Sequence, residues 1–96
     1  MNDDKLSAQL KALSDPTRRH LLALIHQGQH CGCELIHRIN LTQPTLSHHL
    51  KVLSDAGFIQ GVKEKTRINY TVDTNAMDTV FEKLKAMLEK WPEEAC

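Results

Sequence analysis

The 96-residue sequence predicts one mainly α-helical domain with a small β-hairpin, in the order α-α-α-α-β-β-α. Leucine and isoleucine recur at helical spacing in four segments before Ala56-Gly57. Two β-rich runs follow, and then a long apolar stripe of helical period. Two helices joined by a short turn and followed by a hairpin make a winged helix-turn-helix. A chain of this length is expected to form a single domain over residues 1–96 and to gain buried core as a homodimer.

The first helix is short and would need a partner to bury its apolar stripe. Leu6, Leu10 and Leu13 share one face of a helix over about residues 4–13. Ser14-Asp15-Pro16 starts the second helix, because a polar N-cap precedes a proline at the first helical position, where its missing N–H costs nothing. This helix should run to Gly28.

The third and fourth helices form the predicted helix-turn-helix. The third helix stops at Asn40-Leu41, and Thr42 opens a recognition helix that buries Leu46, Leu50 and Leu53. Polar side chains are left over on its other side, and glutamine suits bidentate reading of adenine in the major groove. His49 lies nearer the flank of the buried stripe, a position that also suits a packed histidine. The residues expected to contact DNA from this helix are Gln43, Pro44, Thr45, Ser47, His48 and Lys51.

The hairpin is expected to be a wing with a basic tip. Its strands should cover residues 58–62 and 66–72, joined by Lys63-Glu64-Lys65. Lys63, Lys65 and Arg67 would hold phosphate groups, giving salt-dependent affinity without base selection. An ordinary charged turn remains an alternative reading of the same residues.

The last helix is expected over roughly residues 75–91, with an apolar face that suits either a dimer contact or packing within the chain. We expect the terminal helices to form the dimer interface. The face consists of Met77, Val80, Phe81, Leu84, Met87, Leu88 and Trp91.

Charge is balanced in the whole chain but uneven along it. Residues 35–72 contain five basic side chains against Asp55 and Glu64, whereas residues 73–96 contain six acids against three lysines. The positive segment therefore coincides with the predicted reader of double-stranded DNA. The sequence shows neither a run of 18 apolar residues nor a signal peptide, so we expect a cytoplasmic protein that does not bind a membrane. It lacks a recognisable catalytic framework, and we do not expect an enzyme.

Cys31 and Cys33 directly precede the helix-turn-helix. Cysteines two positions apart on an ideal helix are rotated by about 200° and cannot hold one ion, so the helix must start after Cys31 or be distorted at Gly32. Thiolates select soft ions, and the low-coordinate, all-sulfur site expected here suits trivalent arsenic or antimony. Cys96 is the other thiol of the chain and the candidate third ligand.

Three segments together resemble the ArsR/SmtB metalloregulatory repressors, over about residues 5–90. The resemblance implies a homodimeric winged-helix repressor that leaves a near-palindromic operator when an effector binds. Members that sense arsenite through the third helix carry another cysteine where this chain has Ile36, which puts the third ligand in doubt. A solvent or small-thiol ligand is the fallback. The segments are residues 13–18 (LSDPTR), 31–35 (CGCEL) and 43–51 (QPTLSHHLK).

Three other functions are compatible with the same sequence. Cys33 and His37 share a helix face and His30 precedes Cys31, so a mixed zinc or cadmium site can be drawn. A redox sensor would form a disulfide, and a link to Cys96 would be expected because C-x-C rings are tight. A protein-binding adaptor would lack salt-dependent affinity for DNA.

Overall fold

A computed structural model of the chain describes residues 4–91. The observed order confirms the expected winged helix-turn-helix. Helices and strands are α1 (Asp4–Leu13), α2 (Pro16–His26), α3 (Gly32–Arg38), α4 (Gln43–Asp55), β1 (Ile59–Glu64), β2 (Arg67–Val72) and α5 (Thr74–Glu89). None of the helices among the described residues is long and apolar enough to cross a bilayer.

The core is assembled from one face of each helix and the base of the hairpin. As predicted, Leu46, Leu50 and Leu53 of α4 are buried, at 5% exposure or less. They pack with Leu35 of α3 and with Phe58, which lies just before β1. Because these side chains occupy one side of α4, its opposite side is left for solvent or a partner.

Helix α2 begins where the sequence predicts. The Asp15 carboxylate accepts hydrogen bonds from the backbone N–H groups of Thr17, at 2.7 Å, and Arg18, at 3.4 Å. Partial burial raises the pKa of Asp15, but these hydrogen bonds and the nearby Arg18 charge outweigh it and lower the pKa. Proline at the next position supplies the fixed φ angle of a first helical turn.

The apolar faces of the two terminal helices are only partly covered. In α1, Leu6 is buried but Leu10 is 38% exposed, and Gln9 is buried in its place with its amide donating to the Ala56 carbonyl at 3.1 Å. In α5, Val80 is buried whereas Phe81, among others, is exposed. Leu10, which shares a helical face with Leu6 and Leu13, is thus left partly exposed in this chain.

The wing is a two-stranded antiparallel hairpin with a shorter turn than expected. Ile59 pairs with Val72 at the base and Glu64 with Arg67 at the tip. Pairing thus continues through Lys63 and Glu64, which were expected to lie in the turn, and only Lys65-Thr66 connect the strands. Lys65 takes a φ of 56°, the left-handed conformation that so tight a connection requires.

Candidate DNA interface and thiol site

The recognition helix presents its predicted DNA-contacting side chains to solvent. Thr42 is its N-cap, and the Thr42 hydroxyl donates to the Thr45 hydroxyl at 2.9 Å. Lys51 forms an ion pair with Asp55 at 3.0 Å, but both side chains are largely exposed, so this pair is weak and leaves Lys51 accessible. The exposed set on α4 comprises Gln43, Pro44, Thr45, Ser47, His48 and Lys51.

His49 differs from His48 in the way the sequence suggested. It is partly buried, and its Nδ1 lies 3.5 Å from a terminal guanidinium nitrogen of Arg18. The same guanidinium donates through Nε to the Ala12 carbonyl at 2.8 Å. Sequence reasoning missed this role of Arg18, although the Asp15-Pro16-Thr17-Arg18 run placed a cation one turn inside a capped helix.

The wing carries its basic side chains fully on the surface. Lys63, Lys65 and Arg67 are exposed, with Lys65 at the turn. Gly61 lies opposite Tyr70, and a Cβ atom there would approach Ile68 Cγ2 to 2.7 Å. Glycine at this position therefore lets the two strands keep their pairing beside large side chains.

Cys31 and Cys33 meet at the start of α3. Cys31 is the N-cap in an extended conformation, with φ −109° and ψ 157°, and the helix begins at Gly32. This confirms the expected condition for convergence, that the helix start after Cys31. The two cysteines form a disulfide, with 5.2 Å between their Cα atoms. The expected preference for a link to Cys96 is not what the structure shows, because the extended N-cap turns the Cys31 side chain towards Cys33.

The two sulfur atoms have different surroundings. Cys31 is 1% exposed, whereas Cys33 is on the surface. The Glu34 carboxylate accepts from the backbone N–H groups of His30, at 3.2 Å, and Cys31, at 3.3 Å. This cap holds the segment in front of α3 in place.

The segment containing the thiol pair also contacts the wing. The backbone N–H of Tyr70 donates to the His30 carbonyl at 2.7 Å, and Cys31 makes an isolated antiparallel bridge to Asn69. A displacement of the Cys31 backbone would therefore affect both helix α3, which it caps, and strand β2, to which it is bridged.

The described residues bring two cysteine side chains together at this site and contain no third cysteine. Ile36 is half-buried against the core, so it closes the position where a third thiol would project. Cys96 lies outside the described residues. Within residues 4–91, no group of three or more His, Cys, Asp or Glu side chains is placed to hold a metal ion. The mixed Cys/His site with His30 and His37 is thus not assembled in this part of the chain.

An apolar groove is lined by residues of α1, α2 and α5. Its volume is about 640 Å³, and Leu10, Leu13, Met77 and Phe81 contribute to its lining. Leu88 of α5 and Trp91, two residues after its end, are further exposed apolar side chains. Contiguous apolar surface of this kind is typical of an interface.

A capped helix-turn-helix, an exposed polar recognition helix and a basic wing define a DNA-binding transcriptional regulator of the winged-helix class. Residues 15–60 match the model of the bacterial regulatory proteins of the arsR family. The chain is 36% identical over 84 residues to the arsenical resistance operon repressor of Staphylococcus xylosus, covering 88% of this chain and 81% of that protein. The chain belongs to the arsR family of transcriptional regulators.

Solved structures agree on the fold. An ArsR-like transcriptional regulator from Rhodococcus sp. RHA1 superposes with a TM-score of 0.82 at 23% identity, over 92% of this chain and 83% of that chain. A homodimeric winged helix-turn-helix DNA-binding domain from Mycobacterium bovis gives a TM-score of 0.72 at 21% identity, over 93% of this chain and 83% of that one. The relatives are regulators and not enzymes, in agreement with the sequence prediction.

Proposed function

We propose that this chain is a homodimeric, single-domain repressor that binds a near-palindromic operator in the cytoplasm and releases it when arsenite or antimonite binds Cys31 and Cys33. The observation that carries the proposal is the convergence of the two sulfur atoms at the N-cap of α3, the first helix of the helix-turn-helix. The name of the staphylococcal relative supports an arsenical inducer. Trivalent arsenic would supply a thiophilic centre for the reduced thiols, with Cys96 or a small external thiol as third ligand.

Release of the DNA would follow from the role of the Cys31 backbone in the first turn of α3. Its carbonyl accepts from the backbone N–H groups of Glu34 and Leu35, both at 3.0 Å, and thereby sets the first turn of α3. Leu35 is fully buried against the core that supports α4. Displacing Cys31 shifts α3 and the Asn69 bridge together, so the recognition helix and the wing lose their common fit to the DNA.

The DNA contacts divide into two groups. Gln43, Thr45, Ser47 and His48 enter the major groove, Pro44 starts the helix there, and Lys51 reaches the adjoining phosphates. Lys63, Lys65 and Arg67 of the wing hold phosphate groups. All these residues are exposed, as contact with DNA requires.

Operator release is tested by fluorescence anisotropy. The probe is a duplex selected by the parent protein from a randomised DNA pool, and arsenite, antimonite, cadmium, zinc and peroxide are titrated separately against the reduced complex. We expect arsenite or antimonite to release the DNA from the parent protein. The Cys31→Ser and Cys33→Ser variants should stay bound to the DNA. Cys96→Ser decides the third ligand, because a response equal to that of the parent removes Cys96 from the site. Release by zinc or cadmium alone would overturn the arsenite proposal.

The division of the DNA contacts is tested with the same duplex and a random one. Ser47→Ala and His48→Ala should weaken binding to the selected duplex more than to the random one. Lys63→Gln, Lys65→Gln and Arg67→Gln should weaken both alike and reduce the slope of log affinity against log salt by about 0.9 for each phosphate that the variant leaves unneutralised. Equal losses on both duplexes for the α4 variants would make those residues phosphate contacts.

A thiol redox switch is the second candidate, because the structure joins Cys31 to Cys33. One peroxide accepts two electrons from the two thiols, which lose their protons, giving the disulfide and two molecules of water. This mechanism predicts release by peroxide in Cys96→Ser and recovery of DNA binding on addition of a dithiol reductant. Insensitivity of the reduced complex to peroxide would remove it.

A further inference from the structure

Arg18 is a cation shared by three helices. Its side chain is 13% exposed, so its hydrogen bonds are shielded from water. At the end of α1 it donates from Nε to the Ala12 carbonyl, at 2.8 Å, and from Nη2 to the Lys11 carbonyl, at 3.4 Å. At the start of α2 the same Nη2 lies 3.9 Å from the Asp15 carboxylate.

The remaining nitrogen of this guanidinium faces the recognition helix. Nη1 lies 3.5 Å from Nδ1 of His49. Arginine has only donors, so we assign Nδ1 of His49 as the acceptor and place the imidazole proton on Nε2. The charged and titratable groups facing His49 are Arg18, Asp15 and the His48 ring, whose centroid is 6.0 Å away.

His49 is well placed to fix α4 without touching DNA. It lies near the middle of the helix, one position after the exposed His48 and one before the buried Leu50. A hydrogen bond at this flank is directional and therefore resists rotation of α4 about its own axis. The apolar contacts of Leu50 are not directional and resist such a rotation less.

The other end of the link is helix α1, which borders the apolar groove with Leu10 and Leu13. In a dimer that pairs through this side, the positions of α1 and its copy are fixed by the interface. The separation of the two recognition helices then depends on how rigidly each α4 is held to its own α1. Half-site spacing in an operator follows that separation.

We propose that Arg18 and His49 form a positioning link that holds the recognition helix to helix α1 and thereby sets the half-site spacing that the dimer accepts. The inference rests on the proposed dimeric operator binding. Arg18 and His49 are positioning residues here, and neither is required to contact a base or a phosphate.

The test compares two duplexes, the one selected by the parent and the same duplex with one base pair inserted between its half-sites. We expect the parent to bind the selected spacing at least about tenfold more tightly, since one added base pair both translates and rotates a half-site. His49→Leu, which removes the acceptor, should reduce this ratio to about threefold or less. Binding to random DNA should stay within about twofold, because the phosphate contacts remain.

Rescue separates positioning from general damage. His49→Gln keeps a neutral acceptor and should recover most of the parent's ratio, whereas Arg18→Lys keeps the charge but not the planar fork and should lose it. His20→Leu, an exposed histidine on α2, is the matched control and should behave as the parent. Circular dichroism establishes that each variant is folded.

Each outcome decides the inference. If folded His49→Leu keeps the parent's ratio, the positioning link is wrong, whatever the result for Arg18→Lys. A parent that binds the selected duplex but does not distinguish the two spacings also overturns it. A parent that binds no DNA overturns the proposed function instead. Should His49→Leu fail to fold, the contrast between His49→Gln and Arg18→Lys decides alone.

Discussion

The backbone N–H of Tyr70 donates to the carbonyl of His30 at 2.7 Å, although the two residues are 40 positions apart. His30 immediately precedes the thiol pair, and Tyr70 belongs to the second strand of the wing. The Nδ1 atom of His30 also lies 3.2 Å from the Tyr70 carbonyl, so both backbone polar groups of Tyr70 are engaged by one residue. The thiol segment is in this way joined to the part of the molecule that we assign to the DNA phosphates.

The two cysteines should differ in their contribution to stability. Under reducing conditions, Cys31→Ser should lower the free energy of unfolding by about 1–3 kcal/mol, because it places a hydroxyl where a 1% exposed thiol packs. Cys33→Ser should change it by less than about 0.5 kcal/mol, because Cys33 is exposed. Urea unfolding followed by circular dichroism measures both, and equal losses would contradict the observed difference in burial.

Lys65 should show opposite effects on stability and on DNA binding. Its φ of 56° costs a side-chain-bearing residue about 1–2 kcal/mol, and glycine avoids that cost but loses more chain entropy on folding. We expect Lys65→Gly to raise the free energy of unfolding by up to about 1 kcal/mol while weakening binding to random DNA. Thermal unfolding and anisotropy measure the two effects. Lys63→Gly is the control. It removes the same charge, but from a paired strand position, so this variant should be less stable than the parent.

The Asp15 carboxylate should make the stability of α2 depend on acid. The folded-state pKa of Asp15 is lowered, so its charge contributes stability above the unfolded pKa, and this contribution is lost as the pH falls through the folded pKa. Asp15→Asn keeps an N-cap side chain without the charge. The parent should therefore be more stable than Asp15→Asn at pH 7, and the difference should shrink below about pH 4. Urea midpoints across pH 2–7 measure it, and a constant difference would contradict the assignment.

Phe81 should be needed for self-association. It is 55% exposed and lines the apolar groove, so Phe81→Glu should place a charge in the dimer interface and convert the protein to a monomer. Sedimentation velocity measures the oligomeric state, and operator affinity should fall with it. Ala86→Glu introduces the same charge at an exposed position of α5 that lies about 140° around the helix from Phe81, and should leave the dimer intact. A dimeric Phe81→Glu would place the interface elsewhere.

The periodicity of the sequence was enough to predict the helices, because their burial is decided by local spacing. Leu46, Leu50 and Leu53 lie on one helical face in any context, and Asp15 before Pro16 caps a helix by its own chemistry. The turn of the wing was less predictable. Whether pairing ends at Val62 or at Glu64 depends on the left-handed conformation of Lys65, which its residue type does not favour.

Contacts between segments that are distant in the chain could not be predicted from the sequence. Arg18 and His49 are 31 positions apart, and their approach follows from how α2 packs on α4. The exposure of Leu10 was likewise hidden, since periodicity does not distinguish a core face from an interface. For the thiol pair, the sequence predicted that the two sulfur atoms can meet only if the helix starts after Cys31. The extended backbone of Cys31 fulfils this condition.

The unequal burial of the two cysteines has a consequence for timing. Because Cys33 is exposed and Cys31 is 1% exposed, a reagent from solution meets Cys33 first and reaches Cys31 only through it. The encounter rate is thus governed by the outer sulfur, and the lifetime of the bound state by the inner one. A brief exposure to a thiophilic compound can end at Cys33, whereas a sustained one reaches Cys31 and the backbone behind it.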